Sequence, residues 1–148
     1  MEENKQGSAL VWAIVVVMVI AVILAVTLTM ANTNYSRSVR QASLTQAEVT
    51  AQSTIKTLVT SLEKASDDEL NAFIPDDYAN PRKVSVSKPA SLKGTIDSCS
   101  IAYTSKDDTD HITIRLSATY NKQTYQIKAY LYYDSSWKLD RYDGGDLS

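Results

Sequence analysis

Five neighbouring residues of this 148-residue chain, Asp107-Asp108-Thr109-Asp110-His111, hold enough oxygen ligands to suggest a cation site. Their chemistry would be cation binding, because hard divalent ions take carboxylate and carbonyl oxygens. The run lacks the central glycine and the distal glutamate of a calcium loop, so a solvated hairpin tip is the competing reading. His111 is the sole histidine and Cys99 the sole cysteine. A histidine-pair metal site is thereby excluded, and no nucleophile–base motif is legible around either residue. His111 reads as the start of a strand and Cys99 as a small core residue. Arg82, Lys83, Lys88 and Lys93 form a basic stretch free of acids, able to touch a phosphate backbone. It has no interleaved aromatics, and an ordinary solvated loop explains it as well. With a net charge of −2, a nucleic-acid partner is conceivable but not indicated. Catalysis, a cofactor and a bound metal are not expected.

The elements that would position these residues fall into two chemically distinct parts. Between Gly7 and Arg37 lie 29 uncharged residues, and Ala9–Met30 is mostly Val, Ile, Leu, Ala and Met. A hydrocarbon layer of about 30 Å needs roughly 20 apolar helical residues, so this segment is long enough to span one. A secretory signal peptide is the rival reading, with Thr29-Met30-Ala31 as a weak cleavage site. The apolar run is longer than such peptides use, and two glutamates precede it against one lysine. Lys5 on one flank and Arg37 and Arg40 on the other give little guidance on orientation. The polar remainder suffices for one modest core. With one cysteine it can form no internal disulfide, so packing alone, or packing against other subunits, must hold it together.

No glycine or proline occurs from Ser8 to Ile74. Beyond the polar stretch Asn32–Ser38, Leu44, Ala47, Ala51, Ile55, Leu58, Val59 and Leu62 recur every three or four residues, the period of one helix face. Arg40, Gln46, Gln52, Lys56, Thr60 and Lys64 occupy the other face. One helix is expected from Ser8 to Lys64, lipid-facing and then amphipathic, about 85 Å long at its ordinary rise. Ser66-Asp67-Asp68-Glu69 matches a capping box, so a short helix over Asp67–Ile74 should follow and end at Pro75. A connecting region with Pro81 and Pro89 comes next, with an edge strand over Lys83–Ser87 that puts Val84 and Val86 on one face.

The last third alternates with period two. If Asn121-Lys122 is a two-residue turn, Ala118 opposes Tyr125, Leu116 opposes Ile127, Ile114 opposes Ala129 and Ile112 opposes Leu131. Every pair is apolar, and a one-residue slip would set all of them against polar partners. The other face pairs Thr119 with Thr124 and Arg115 with Lys128, a like-charge pair tolerated only where solvent reaches it. Tyr130 and Tyr132 share that outer face, where interface contact and cross-strand packing explain them equally. Asp134-Ser135-Ser136 makes a second turn to Trp137 and Leu139, and Cys99, Ile101 and Tyr103 supply an upstream strand. The expected fold is α+β: a long N-terminal helix packed on a C-terminal antiparallel meander of about four strands. The expected organisation is residues 1–7, 8–31, 32–64, 65–95 and 96–148.

Taken together, these features resemble the type IV pilin and pseudopilin family, in which a short leader ending in glycine precedes a helix of this kind and a late sheet. The junction Lys5-Gln6-Gly7-Ser8-Ala9-Leu10-Val11 carries the resemblance most specifically. Arg40-Gln41-Ala42 with Gln46-Ala47-Glu48 is similar to the early helix of the X-type minor-pilin subgroup. The resemblance implies cleavage between Gly7 and Ser8 by a prepilin peptidase. It also implies partnership with other pilin subunits through the N-terminal helix, first in the cytoplasmic membrane and then in a pilus, competence or secretion filament. Major members carry a glutamate five residues into the mature chain, where this chain has Trp12, and they usually carry a helix-kinking proline that is absent here. A carboxylate in lipid is costly without a partner charge, so its loss removes a pairing device and implies a minor subunit. The alternative is a signal-anchored single-pass protein with an extracytoplasmic binding or sensing domain.

Overall fold

The structure, a computed structural model, describes residues 3–74, 80–106 and 109–144. Helix α1 covers Glu3–Lys64 and α2 covers Asp67–Phe73. Five strands follow: β1 Arg82–Lys83, β2 Thr95–Lys106, β3 Thr109–Tyr120, β4 Gln123–Tyr133 and β5 Trp137–Gly144. The class is α+β, as the periodicities require. The chain divides into two compact units, residues 1–40 and 41–148.

The first unit is helical from Glu3 onward, five residues before the expected start at Ser8. Gly7 does not stop it, since a glycine inside a helix costs only about 1 kcal/mol relative to alanine.

In the second unit the strands form one antiparallel sheet in sequence order, β1-β2-β3-β4-β5. The β3–β4 hairpin takes the register that the alternation demands: Ala118↔Tyr125, Leu116↔Ile127, Ile114↔Ala129 and Ile112↔Leu131. Asn121 and Lys122 both have positive φ, 46° and 64°, the backbone of a turn whose twist matches that of the flanking strands. In the β4–β5 turn Ser135 takes φ 61°. Register then shifts beside Tyr130 and Leu131, with Asp140 as the extra residue of β5. That bulge lets Trp137, Leu139 and Tyr142 all reach the core side.

Strand β1 corrects the expected edge strand over Lys83–Ser87. Pairing covers Arg82↔Ile101 and Lys83↔Ser100, and the Val84 N–H still donates to the Cys99 carbonyl at 3.0 Å. Continued in that register, Val86 would meet Asp97, where β2 carries a bulge against β3. The ladder stops short of that distortion, while Val84 and Val86 still pack against the core as a pair. The short strand makes the sheet five-stranded, in line with the expected meander of about four strands.

Helix α2 forms with the capping box at Ser66, where the Glu69 carboxylate accepts the Ser66 N–H at 3.1 Å. It ends at Phe73 rather than Ile74. Ile74 is extended, φ −79° and ψ 129°, the backbone favoured by a residue ahead of proline. Pro75 itself lies outside the described residues.

The core is the contact between the later part of α1 and one face of the sheet. Ala51, Ile55, Val59 and Leu62 meet Cys99, Ile101, Ile112, Ile114, Leu116, Ala118, Ile127, Ala129, Leu131 and Trp137. Each large side chain fully buried there contributes about 1.5–3 kcal/mol. The buried helix face also includes Ser43, Thr50 and Thr54, which a hydrophobic count passes over. Their hydroxyls need partners once away from water. Thr54 Oγ1 donates to the Thr50 carbonyl at 2.7 Å, and Thr50 Oγ1 donates to the Lys93 carbonyl at 2.7 Å, tying the helix to the chain before β2. Gly94 follows with φ +100°, and a Cβ there would lie 2.7 Å from the Thr119 carbonyl oxygen, so only glycine fits this approach.

Candidate assembly surface

The N-terminal unit presents apolar side chains on every side. Leu10, Trp12, Ile14, Val17, Met18, Val22, Leu24, Leu28 and Met30 are all between 52% and 70% exposed. The helix is long and apolar enough to cross a membrane, and no part of its most apolar window is buried inside the protein. The core helix of a soluble protein would be covered, whereas this surface is open, as in a membrane-spanning helix or a signal sequence.

Threonines along this helix bond back to the preceding turn, as Thr57 and Ser61 do further along α1. Thr27 Oγ1 donates to the Ile23 carbonyl at 2.8 Å, Thr29 Oγ1 to Ala25 at 2.9 Å and Thr33 Oγ1 to Thr29 at 2.9 Å. Each hydroxyl spends its proton on the preceding turn, so none enters hydrocarbon as an unsatisfied donor. Sequence patterning shows these threonines only as polar interruptions, whereas the helical geometry explains why they are tolerated.

The proposed leader junction, Gly7 and Ser8, lies within the helical backbone of α1. Trp12, one turn later, is 68% exposed and stands on the apolar surface.

The basic stretch does not converge on one site. Arg82 donates to the Ala72 carbonyl and Lys88 to the Leu92 carbonyl, so both are spent on tying down neighbouring chain. Lys93 is exposed, and Lys83 joins the outer face of the sheet across from Ser100. In the acidic run, Asp107 and Asp108 lie outside the described residues. Thr109, Asp110 and His111 already belong to β3, with His111 two residues inside it rather than at its start. Among the described residues no cluster of three histidine, cysteine or acidic side chains is placed to hold a metal. Tyr130 carries the Arg141 guanidinium over its ring at 4.4 Å, so at least this tyrosine serves cross-strand packing.

Cys99 is 3% exposed, and burial pushes its thiol up to about 11. An exposed thiol ionises near 9, so between pH 9 and 11 the unfolded chain releases this proton while the folded one keeps it. Stability from this group is therefore full below pH 9 and declines as pH rises towards 11. Cys99 is expected to resist iodoacetamide in the native protein at pH 8 and to alkylate readily in denaturant, as intact-mass measurement would show. Tyr125 and Tyr142 also ionise above their ordinary value, first through burial and then through Glu48 and Glu63 of α1 respectively. The helix acids thus lie close enough to the sheet tyrosines to be felt electrostatically.

No family model matches this chain, and neither a curated protein nor a solved structure matches it. Its own geometry defines the class: one helix fit to span a membrane, whose later part packs on an antiparallel sheet.

Proposed function

We propose that this chain is a minor pilin or pseudopilin, a structural subunit of a type IV filament. The observation that carries this reading is the exposed, uncharged helix surface of residues 9–30, on a helix that runs unbroken to Lys64. A simple anchor needs the apolar stretch alone, and a glycine or proline after it would do no harm. A filament subunit needs a continuous helix, because the residues that first face lipid later pack against neighbouring subunits.

In this account a prepilin peptidase removes residues 1–7. The subunit then waits in the cytoplasmic membrane with its sheet unit outside and joins other pilin subunits through α1. Trp12 replaces the charge that would meet a neighbour's terminal amine, which suits a specialised subunit present in few copies. The role is structural and assigns no catalysis. Signal anchoring of an extracytoplasmic binding domain is the rival reading, favoured by the same tryptophan, since such an anchor needs no pairing carboxylate.

Leader processing separates the two. After co-expression with a prepilin peptidase, intact-mass and N-terminal peptide measurements are expected to show a chain beginning at Ser8. A chain left uncut, or cut near Ala31, contradicts the filament reading.

A further inference from the structure

The face of the sheet turned away from α1 carries a concave patch of about 160 Å³, lined by Ser98, Ser100, Arg115, Ser117, Gln126 and Lys128 over the backbone of β2, β3 and β4. Register builds it: Ser98 opposes Ser117, Ser100 opposes Arg115, Ser117 opposes Gln126 and Arg115 opposes Lys128. Lys83 of β1 extends the same row beside Ser100. Three cations from three strands therefore line up across a stretch of sheet, with hydroxyl and amide groups beside them.

We infer that this patch is a binding site for a phosphate-type oxyanion, held between Arg115 and Lys128 over the Ser117 hydroxyl. Three observations support it. Arg115 and Lys128 face each other directly, a like-charge pair whose repulsion solvent screens and an anion bound between them would relieve further. Neither takes part in an ion pair among the described residues, although Asp143 opposes Lys128 in register. Asp143 does not line the patch. The second nearby acid, Asp97, already accepts hydrogen bonds from Thr95 and Thr119.

The third observation is the polar lining. Ser117 is 9% exposed yet forms no hydrogen bond among the described residues, and its hydroxyl opens into the patch. No buried side-chain polar atom is left unsatisfied among the described residues, so water reaches this hydroxyl, and an acceptor in the patch would take that water's place. Ser98, Ser100 and Gln126 add further donors at the rim. Guanidinium, ammonium, hydroxyl and amide donors around one small concavity are the recognition chemistry of a tetrahedral oxyanion, for which arginine supplies the planar fork.

The test is titration of inorganic phosphate into the ¹⁵N-labelled full chain in a neutral detergent, replacing chloride at constant ionic strength so that screening does not change. Saturable shifts are expected at the amides of Ser100, Arg115, Ser117 and Lys128, with an apparent Kd on the order of 1 mM. Sulfate should compete and acetate should not. Arg115→Gln is expected to weaken binding at least about tenfold, and Ser117→Ala severalfold. Lys56→Gln, which removes the same charge from the exposed face of α1, should leave binding unchanged. Absence of saturation, or equal weakening by Lys56→Gln and Arg115→Gln, would overturn the assignment.

Discussion

Ile55→Asp is expected to abolish the folded state of the 41–148 unit at room temperature, while Ile55→Val leaves it folded and about 0.5–1.5 kcal/mol less stable. Ile55 has no exposed surface and sits among the buried residues that join α1 to the sheet. Aspartate there loses the burial of a large side chain, about 1.5–3 kcal/mol. It also places a carboxylate among hydrocarbon groups, with an effective penalty of several kcal/mol. A domain of this size holds only about 5–15 kcal/mol in total, and here no disulfide adds to it. Loss of the sheet signal in far-ultraviolet circular dichroism of the full chain in detergent is the readout. A cooperative melt of Ile55→Asp close to that of the parent would mean that the helix–sheet contact does not hold the unit together.

Val17→Arg is expected to weaken membrane retention of the chain, whereas Thr33→Arg should not. Val17 is 65% exposed near the middle of the uncharged stretch, where an arginine costs about 2.5–3.5 kcal/mol on insertion scales. That lowers the ratio of inserted to free chain by a factor of roughly 60 to 400. Thr33 lies beyond Met30, where a long cationic side chain can reach water. Alkaline extraction of membranes followed by immunoblotting distinguishes the two. Val17→Arg retained as firmly as the parent would show that residues 9–30 are not the span.

Much of this organisation was legible in the residues because two periods are so clean. Ile112, Ile114, Leu116 and Ala118 against Leu131, Ala129, Ile127 and Tyr125 admit one register, since a slip exposes every one of them. The apolar helix was equally plain, because charge is absent from residues 8–36. The buried face of α1 was only half legible. Thr50 and Thr54 count as polar by type, and their burial depends on a carbonyl of the preceding turn and on Lys93, forty-three residues along the chain. Strand β1 was misjudged because its end is set by a bulge at Asp97, a distortion with no local signature. The row Lys83, Ser100, Arg115, Lys128 shows the same limit. The opposition of Arg115 and Lys128 followed from the hairpin, but the two earlier strands joined them only through sheet order.

The central claim is that one apolar helix surface serves two environments in turn. It is tested most directly by placing a photoreactive residue at Val16 and irradiating cells with and without an active filament-assembly ATPase. The account predicts lipid adducts alone when assembly is blocked. When assembly runs, it predicts crosslinks to the apolar helices of other subunits in the sheared filament fraction. A chain that stays in the membrane fraction with lipid adducts under both conditions would contradict it.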